Sequence, residues 1–110
     1  MKRYGIRVEP HAEREIDQEL RWWEERDPSR ALAIVEELEK AYRRLARLPE
    51  SGALIHVRGT WSKAVRFLVL SRIGYLLYYE VEHATRRIFV LSLWHEKRRP
   101  LNLRAWLRGR

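Results

Sequence analysis

The first residues of the chain alternate between apolar and polar side chains from Tyr4 to Glu9, which predicts a half-buried strand. After Pro10, a residue that suits the first turn of a helix, the apolar period lengthens. Four apolar residues then recur at spacings of four, four and three: Ala12, Ile16, Leu20 and Trp23. Because nearly all other positions there are charged, the pattern predicts a surface helix with one buried stripe.

Asp27 and Pro28 separate this helix from a second one, with Asp27 as the predicted N-cap and Pro28 at the first helical position. Apolar residues keep helical spacing from Ala31 to Leu48. Two antiparallel helices joined by a short turn are therefore expected. A loop follows, with a short extended piece predicted at Ala53 to Val57.

Three strand candidates come next: KAVRFLVL, YLLYYEVE and RIFVLSLWH. The segments between them, SRIG and HATR, have lengths that suit hairpins, so an antiparallel meander is expected. The predicted fold is α+β: a strand, a helical hairpin and a three-stranded meander, with the helices on one face of the sheet. The other face and the loop ends are expected to be available for function. A short tail begins at about residue 100.

Length and composition narrow the classes of protein. The chain has 110 residues, which suits one domain. It has no apolar run long enough to cross a membrane and no apolar signal segment, so a cytoplasmic protein without a membrane partner is expected. Cysteine is absent, which excludes disulfides and thiolate chemistry. The four histidines lack metal-binding spacing, so neither a metal nor a cofactor is expected.

Charge is distributed unevenly along the chain. The net charge is +8, and residues 51–110 carry twelve Lys or Arg against three Asp or Glu. Residues 10–50 carry eight basic and eleven acidic side chains. A basic half favours a polyanionic partner, either nucleic acid or an acidic protein, although a basic protein that is merely soluble has the same composition.

Arg66 interrupts AVRFLVL, a strand candidate that is otherwise apolar, and shares its predicted face with Leu68 and Leu70. Burying a guanidinium costs free energy unless it meets an anion or reaches the sheet edge. Arg66 is therefore either a phosphate ligand on the open face of the sheet or part of a structural ion pair. Glu80 and Glu82, on the neighbouring strand, are the expected partners in that second case.

His95 ends the last strand and precedes a basic run that contains Lys97, Arg98 and Arg99. An imidazole exchanges protons near neutral pH, and RNA cleavage needs a base, an acid and cations on the phosphate. His95 with Arg66 and one of Arg98 or Arg99 would supply part of such a site. The alternative is that the basic run is a solvated strand end.

A second proton-transfer group is not evident in the sequence. No Asp or Glu occurs between Ser51 and Tyr79. The remaining acid or base candidates are distant in the chain: Glu50, His56, Glu80 and Glu96. The residues evident in the sequence therefore do not form a complete set of catalytic groups for RNA cleavage.

Several features in this order resemble a known family. The strand and helical hairpin, the LPESG turn, the VRFLVLSRIGYLLYYEVE hairpin and the VLSLWHEKRRP ending are similar to the RelE/ParE superfamily of type II toxin–antitoxin toxins, and most similar to its ParE-like branch. The resemblance extends from about Tyr4 to Pro100. It implies a small bacterial growth inhibitor that is neutralised by a cognate antitoxin protein.

The resemblance also implies two mechanisms. RelE-like members cut messenger RNA in the ribosome, whereas ParE-like members poison DNA gyrase. Arg66 and His95 match a strand arginine and a C-terminal histidine of ribonuclease members, but this chain has only Lys63 where RelE-like members carry two catalytic lysines. The target-binding candidates that follow are Arg66, Lys63, Lys97, Arg98 and Arg99.

Three functions are compatible with these features. The first is a ParE-like toxin that acts on gyrase, as in plasmid stabilization systems. The second is a metal-independent, ribosome-dependent endoribonuclease with His95 and Arg66 as catalytic residues. The third is a basic binding module without toxicity.

Overall fold

A computed structural model describes residues 3–55 and 64–97 of the chain. The elements in chain order are β1 (Gly5–Val8), α1 (Pro10–Arg26), α2 (Pro28–Arg47), β2 (Ala53–Ile55), β3 (Val65–Leu70), β4 (Tyr75–Glu82) and β5 (Arg87–His95). The predicted strand, helical hairpin and meander are confirmed. The predicted piece at residues 53–57 begins as β2, while His56, Val57 and the tail lie outside the described residues.

The five strands form one mixed sheet in the order β1-β5-β4-β3-β2. Strands β2 to β5 pair antiparallel in sequence order, as a meander does. Strand β1 pairs parallel to β5, with Ile6 opposite Ile88 and Val8 opposite Val90. The two helices pack on one face, so the architecture is the α+β fold expected from the sequence.

The main core lies between the helices and the sheet. It joins the buried stripe of α2 to one face of β3, β4 and β5, and its fully buried large side chains include Ile34, Leu45, Tyr75, Leu77, Tyr79, Ile88 and Val90. Burial of one such aliphatic side chain contributes about 1.5–3 kcal/mol. This core therefore fixes the position of the helices on the sheet.

The opposite face of the sheet carries a second apolar cluster. Val65, Tyr78 and Leu91 are buried there, and Phe67 and Trp94 pack around them. Val65 and Leu91 have 0% exposed surface. The expectation that this face is open for function is therefore wrong at its centre. Apolar side chains on both faces also explain the nearly continuous apolar runs of these strands.

Asp27 alone connects the two helices, and its predicted N-cap position is confirmed. It occupies the N-cap position of α2, but its carboxylate makes no capping bond to a backbone N–H. Its Oδ1 instead accepts the hydroxyl of Ser29 at 2.6 Å, and this bond lowers the pKa of Asp27. The backbone carbonyl of Asp27 accepts the N–H of Arg30, at 2.9 Å.

The turn between β3 and β4 is attached to α2 through Arg72. Its Nη1 lies 3.0 Å from Glu37 Oε1 and 3.6 Å from Glu36 Oε2. The hydrogen bond from Arg72 lowers the pKa of Glu37 and raises that of Arg72. Since both partners are in contact with solvent, the pair orients the turn more than it stabilises the fold.

Substitution of Gly52 by alanine tests how closely the loop before β2 packs on the sheet. An added Cβ would lie 2.6 Å from the backbone oxygen of Phe67 and 2.6 Å from Tyr79 Oη. Because a strand carbonyl cannot move freely, we expect Gly52→Ala to lower the free energy of unfolding by about 1–3 kcal/mol in urea titrations. Gly5→Ala is the matched control, since its nearest neighbour is 4.0 Å away. Equal losses in the two variants would contradict this packing.

Candidate functional site

His95 lies at the end of β5, at the mouth of a pocket between α1 and the sheet. The pocket has a volume of about 490 Å³ and is lined by Gln18, Glu19, Trp22, Trp23, Tyr75, His95 and Lys97. We call it the His95 pocket. The His95 ring is half-buried and packs edge-on against Tyr75, with 5.0 Å between ring centroids. Its Nδ1 accepts the backbone N–H of Lys97 at 3.1 Å, which fixes the ring direction.

The local backbone explains why these two rings meet. Tyr75 and His95 are opposite each other in the β4–β5 pairing. Gly74, just before Tyr75, has a φ of 72°, a conformation that favours glycine. The carbonyl of Gly74 accepts the N–H of Glu96 at 3.0 Å. The start of β4 and the end of β5 are thus joined at the pocket.

Tyr75 connects the pocket to α1. Its hydroxyl donates to Glu19 Oε2 at 2.6 Å and accepts the indole N–H of Trp23 at 3.1 Å. Burial, together with the hydrogen bond to Glu19, raises the pKa of Tyr75 to about 12. At neutral pH the phenol is therefore a neutral hydrogen-bond donor, held in place from both sides.

Two tryptophans form the α1 wall of the pocket. Trp23 is half-buried, as its place in the apolar stripe predicts. Trp22 lies off the stripe and is 47% exposed, and the guanidinium carbon of Arg26 lies 3.9 Å from its ring centroid. The two rings contact each other edge-on, 4.7 Å apart. The wall is therefore aromatic, and a cation of the chain itself already covers one face of Trp22.

The pocket contains three groups that can donate or accept protons, on Glu19, Tyr75 and His95, and one cation, on Lys97. The sequence analysis identified His95 and Lys97 but missed Glu19 and Tyr75. A signal for Glu19 existed, because it lies four positions before Trp23 and so borders the buried stripe. A single sequence contains no pattern from which the contact between Glu19 and Tyr75, 56 residues apart, could be predicted.

Arg66 does not line the His95 pocket. It shares the helix-facing side of β3 with Leu68 and Leu70, and its side chain is 20% exposed. Its Nη1 donates to the backbone carbonyls of Glu50 at 3.2 Å and Gly52 at 2.9 Å. Its Nη2 lies 3.8 Å from the Glu50 carboxylate. The geometry agrees with the structural ion-pair interpretation.

The expected partner of that ion pair is corrected. Alternation along β4 directs Glu80 and Glu82 away from the helices, so neither faces Arg66. Glu50, in the loop after α2, takes this role instead.

Arg66 and His95 do not share a site. In the sheet, Arg66 is opposite Tyr79 of β4, and His95 is opposite Tyr75. Four residues along a strand span about 13 Å, and the two residues also lie on different sides of β4. One phosphate group therefore cannot contact both side chains in this arrangement. Of the other predicted binding residues, Lys97 lines the His95 pocket, while Lys63, Arg98 and Arg99 lie outside the described residues.

A second group of polar side chains surrounds Glu50, and we call Tyr4, Glu50, Arg66 and His83 the Glu50 cluster. His83 Nε2 lies 2.8 Å from Glu50 Oε1, and His83 Nδ1 lies 2.6 Å from the hydroxyl of Tyr4. Beside it is a pocket of about 540 Å³, lined by Arg47, Leu48, Pro49, Glu50, Ser51 and His83. Neither Tyr4 nor His83 was identified as functional from the sequence.

Within residues 3–55 and 64–97, no group of three or more His, Asp or Glu side chains is placed to hold a metal ion. In the same part of the chain, no helix is long and apolar enough to cross a lipid bilayer.

The raised pKa of Tyr75 predicts a loss of stability at alkaline pH. The phenol of an unfolded chain ionises near pH 10, whereas that of folded Tyr75 ionises at about 12. Its contribution is therefore fully present below pH 10 and is lost as the pH rises to about 12. We expect urea unfolding midpoints to fall less steeply across this window in Tyr75→Phe than in the native protein. The two slopes should agree between pH 7 and pH 9. Equal slopes above pH 10 would contradict the assignment.

Comparison with known proteins agrees with this architecture. Residues 6–100 match the family model described as the ParE toxin of the type II toxin–antitoxin system parDE. No curated protein sequence matches the chain.

Three solved structures have a similar fold. A chain of the chromosomal ParDE toxin–antitoxin system from P. aeruginosa superposes with a TM-score of 0.64 at 20% identity, covering 84% of this chain and 95% of that one. A chain of the RelBE2 toxin–antitoxin complex from Mycobacterium tuberculosis gives 0.56 at 20% identity, with coverage of 84% and 98%. A mutant of the E. coli toxin RelE in the free state gives 0.53 at 20% identity, with coverage of 86% and 85%. With the family match over residues 6–100, this chain belongs to the ParE toxin family of type II toxin–antitoxin systems.

Proposed function

We propose that this protein is a ParE-like toxin that inhibits DNA gyrase in the cytoplasm and is neutralised by a cognate antitoxin. The observation that carries the proposal is the separation of Arg66 from His95. Arg66 is bound to two backbone carbonyls and lies close to the Glu50 carboxylate, at the other end of β4 from the His95 pocket. A ribonuclease needs cations and proton-transfer groups around one phosphate, and this arrangement does not bring these two residues together.

The chemistry of the sheet supports the same proposal. On the face opposite to the helices, β3 and β4 present no Lys or Arg side chain, and an apolar cluster around Tyr78 occupies the centre. Nucleic acid binding relies on cations that contact phosphates. A protein target is therefore favoured over RNA for the part of this face that β3 and β4 form, whereas Arg7 of β1 and Arg87 of β5 lie on the same face towards the other edge of the sheet.

An antitoxin partner is supported by similarity. The chain belongs to a family of toxins from toxin–antitoxin systems, and the P. aeruginosa and M. tuberculosis structures are titled as such a system and such a complex. The hairpin of α1 and α2 carries a groove with an apolar floor and an acidic rim, lined by Val8, Ile16, Leu20, Val35, Leu38 and Tyr42 and by Glu13, Asp17 and Glu39. Such a groove is suited to contact with a protein chain.

Gyrase supercoiling assays test the proposal directly. Added to gyrase with relaxed plasmid, the purified protein should abolish supercoiling, and a molar equivalent of the antitoxin should restore it. Because this mechanism needs no proton transfer by the toxin, His95→Gln, which keeps a polar side chain at this half-buried position, should inhibit within a factor of about two of the native protein. Unaffected supercoiling at high protein concentration would contradict the proposal.

A second candidate function, messenger RNA cleavage, is favoured by one observation. The His95 pocket holds an imidazole, a carboxylate and a phenol, on His95, Glu19 and Tyr75, together with the Lys97 ammonium. General acid–base catalysis requires such groups within reach of one substrate. A ribonuclease site built on His95 would therefore use the groups of this pocket and would not include Arg66.

Mapping of messenger RNA 5′ ends shortly after induction tests this second candidate. If the protein cleaves messenger RNA, new 5′ ends should appear and should fall about 10²- to 10⁴-fold in His95→Gln, the typical contribution of general acid–base catalysis. Arg66→Lys is the matched control, since it keeps a cation at Glu50 and lies away from the pocket; it should cleave as the native protein does. Growth arrest without new ends would exclude cleavage.

A further inference from the structure

Tyr4, His83 and Glu50 form a chain of hydrogen bonds at the end of the sheet away from His95. The hydroxyl of Tyr4 lies 2.6 Å from His83 Nδ1, and His83 Nε2 lies 2.8 Å from Glu50 Oε1. The order is hydroxyl, imidazole, carboxylate. This is the order in which a catalytic triad arranges its nucleophile, its base and the group that orients the base.

The direction of the hydrogen bonds follows from the carboxylate. A carboxylate only accepts hydrogen bonds, so His83 Nε2 carries the proton that is donated to Glu50. In the neutral imidazole Nδ1 is then an acceptor, and it faces the hydroxyl proton of Tyr4. His83 is therefore in the tautomer that can take this proton, and Glu50 is placed to stabilise the imidazolium that results.

The parts of the cluster are positioned by different elements. Tyr4 precedes β1, and its N–H donates to the carbonyl of Ala46 at 2.9 Å. His83 begins the turn between β4 and β5, and its ring is edge-on to that of Tyr4 with 5.6 Å between centroids. The Tyr4 ring packs against the main core. The Tyr4 side chain is thus held in place by the fold.

The cluster is accessible to a small molecule. The side chains of His83 and Glu50 are 55% and 57% exposed, and both line the pocket of about 540 Å³. Arg47 lines the same pocket, so a negatively charged group can be attracted there. The base, the carboxylate and a cation line this cavity, and the Tyr4 hydroxyl lies behind them, 2.6 Å from the His83 ring. A hydroxyl, a base and a cation are groups that suit transfer of an acyl group from a donor with an anionic leaving group.

We propose that Tyr4 is a nucleophile activated by His83 and Glu50, and that it accepts an acyl group from a small activated ester. Tyr4 Oη attacks the carbonyl carbon and forms an O–C bond while its proton moves to His83 Nδ1. The bond between the carbonyl carbon and the leaving oxygen then breaks. The leaving group takes the proton from His83, or it departs as an anion and the His83 imidazolium releases the proton to water. The product is an O-acyl tyrosine. Because it lacks the hydroxyl proton, it no longer donates to His83, and this hydrogen bond between the residue before β1 and the β4–β5 turn is lost, while the bond from Gly5 N–H to the Arg86 carbonyl remains.

p-Nitrophenyl acetate is the probe, since its leaving group is coloured. The full-length native protein should release a burst of p-nitrophenolate, and peptide mapping by mass spectrometry should place the acetyl group on Tyr4. Tyr4→Phe should remove the label at this position. His83→Asn should slow acetylation of Tyr4 by about 10²-fold or more, the usual effect of losing a general base. Tyr42, whose pKa burial raises to about 12, is an internal control and should stay unlabelled.

Glu50→Gln is the second variant, because it keeps a hydrogen-bond acceptor for His83 while removing the charge. Circular dichroism checks that each variant is folded. If His83→Asn does not fold, Glu50→Gln decides the matter. Acetylation of Tyr4 that is slower in Glu50→Gln than in the native protein supports the proposal. An unlabelled Tyr4 in the native protein, or a rate unchanged in the folded variants, overturns it and leaves the three side chains as a structural link.

Discussion

Strand β4 is hydrogen-bonded on both edges and buried on both faces, and the rest of the fold is arranged around it. It pairs with β3 on one side and β5 on the other. Tyr75, Leu77 and Tyr79 face the helices, whereas Leu76 and Tyr78 face the second apolar cluster. A strand in this position must be apolar nearly throughout, because buried polar side chains need partners. The two polar regions, the His95 pocket and the Glu50 cluster, therefore lie beside the ends of β4 and not at its centre.

Two helix-facing tyrosines of β4, Tyr75 and Tyr79, extend their hydroxyls to the His95 pocket and towards the Glu50 cluster, respectively. The Tyr75 hydroxyl bonds to Glu19 in the His95 pocket, and the Tyr79 hydroxyl accepts the N–H of Gly52 at 2.9 Å, beside Arg66. Burial raises the pKa of both phenols, so each remains a neutral donor or acceptor. Tyrosine suits this task because its ring fills the core while its hydroxyl reaches a polar margin.

Sequence periodicity was sufficient for the elements but not for the contacts between distant side chains. The spacing of Ala12, Ile16 and Leu20 defined α1, and alternation defined β1, because these patterns depend on neighbours in the chain. The parallel pairing of β1 with β5 could not be predicted, since alternation shows which face is buried but not which strand lies alongside. For the same reason, the sequence did not show that Glu19 and His95 line one pocket. The carboxylate predicted to pair with Arg66 was also the wrong one. A side chain such as Asp27 also has several local hydrogen-bond partners, and the structure selects Ser29.

The uneven charge of the sequence is partly balanced inside the fold. Arg72 contacts Glu36 and Glu37, and Arg66 contacts Glu50, so cations of the second half meet carboxylates of the first. The net charge of the sequence therefore overestimates the positive charge that is available to bind an external polyanion. Strand β1 has a related dependence on the far end of the chain: among the described strands it pairs with β5 alone, and the contact between Tyr4 and His83 joins residues 79 positions apart. During translation, β1 cannot form its strand pairing until the ribosome has synthesised β5. An incomplete chain therefore cannot assemble this sheet, and the cell is exposed to the folded protein only after synthesis of the strand that ends in His95.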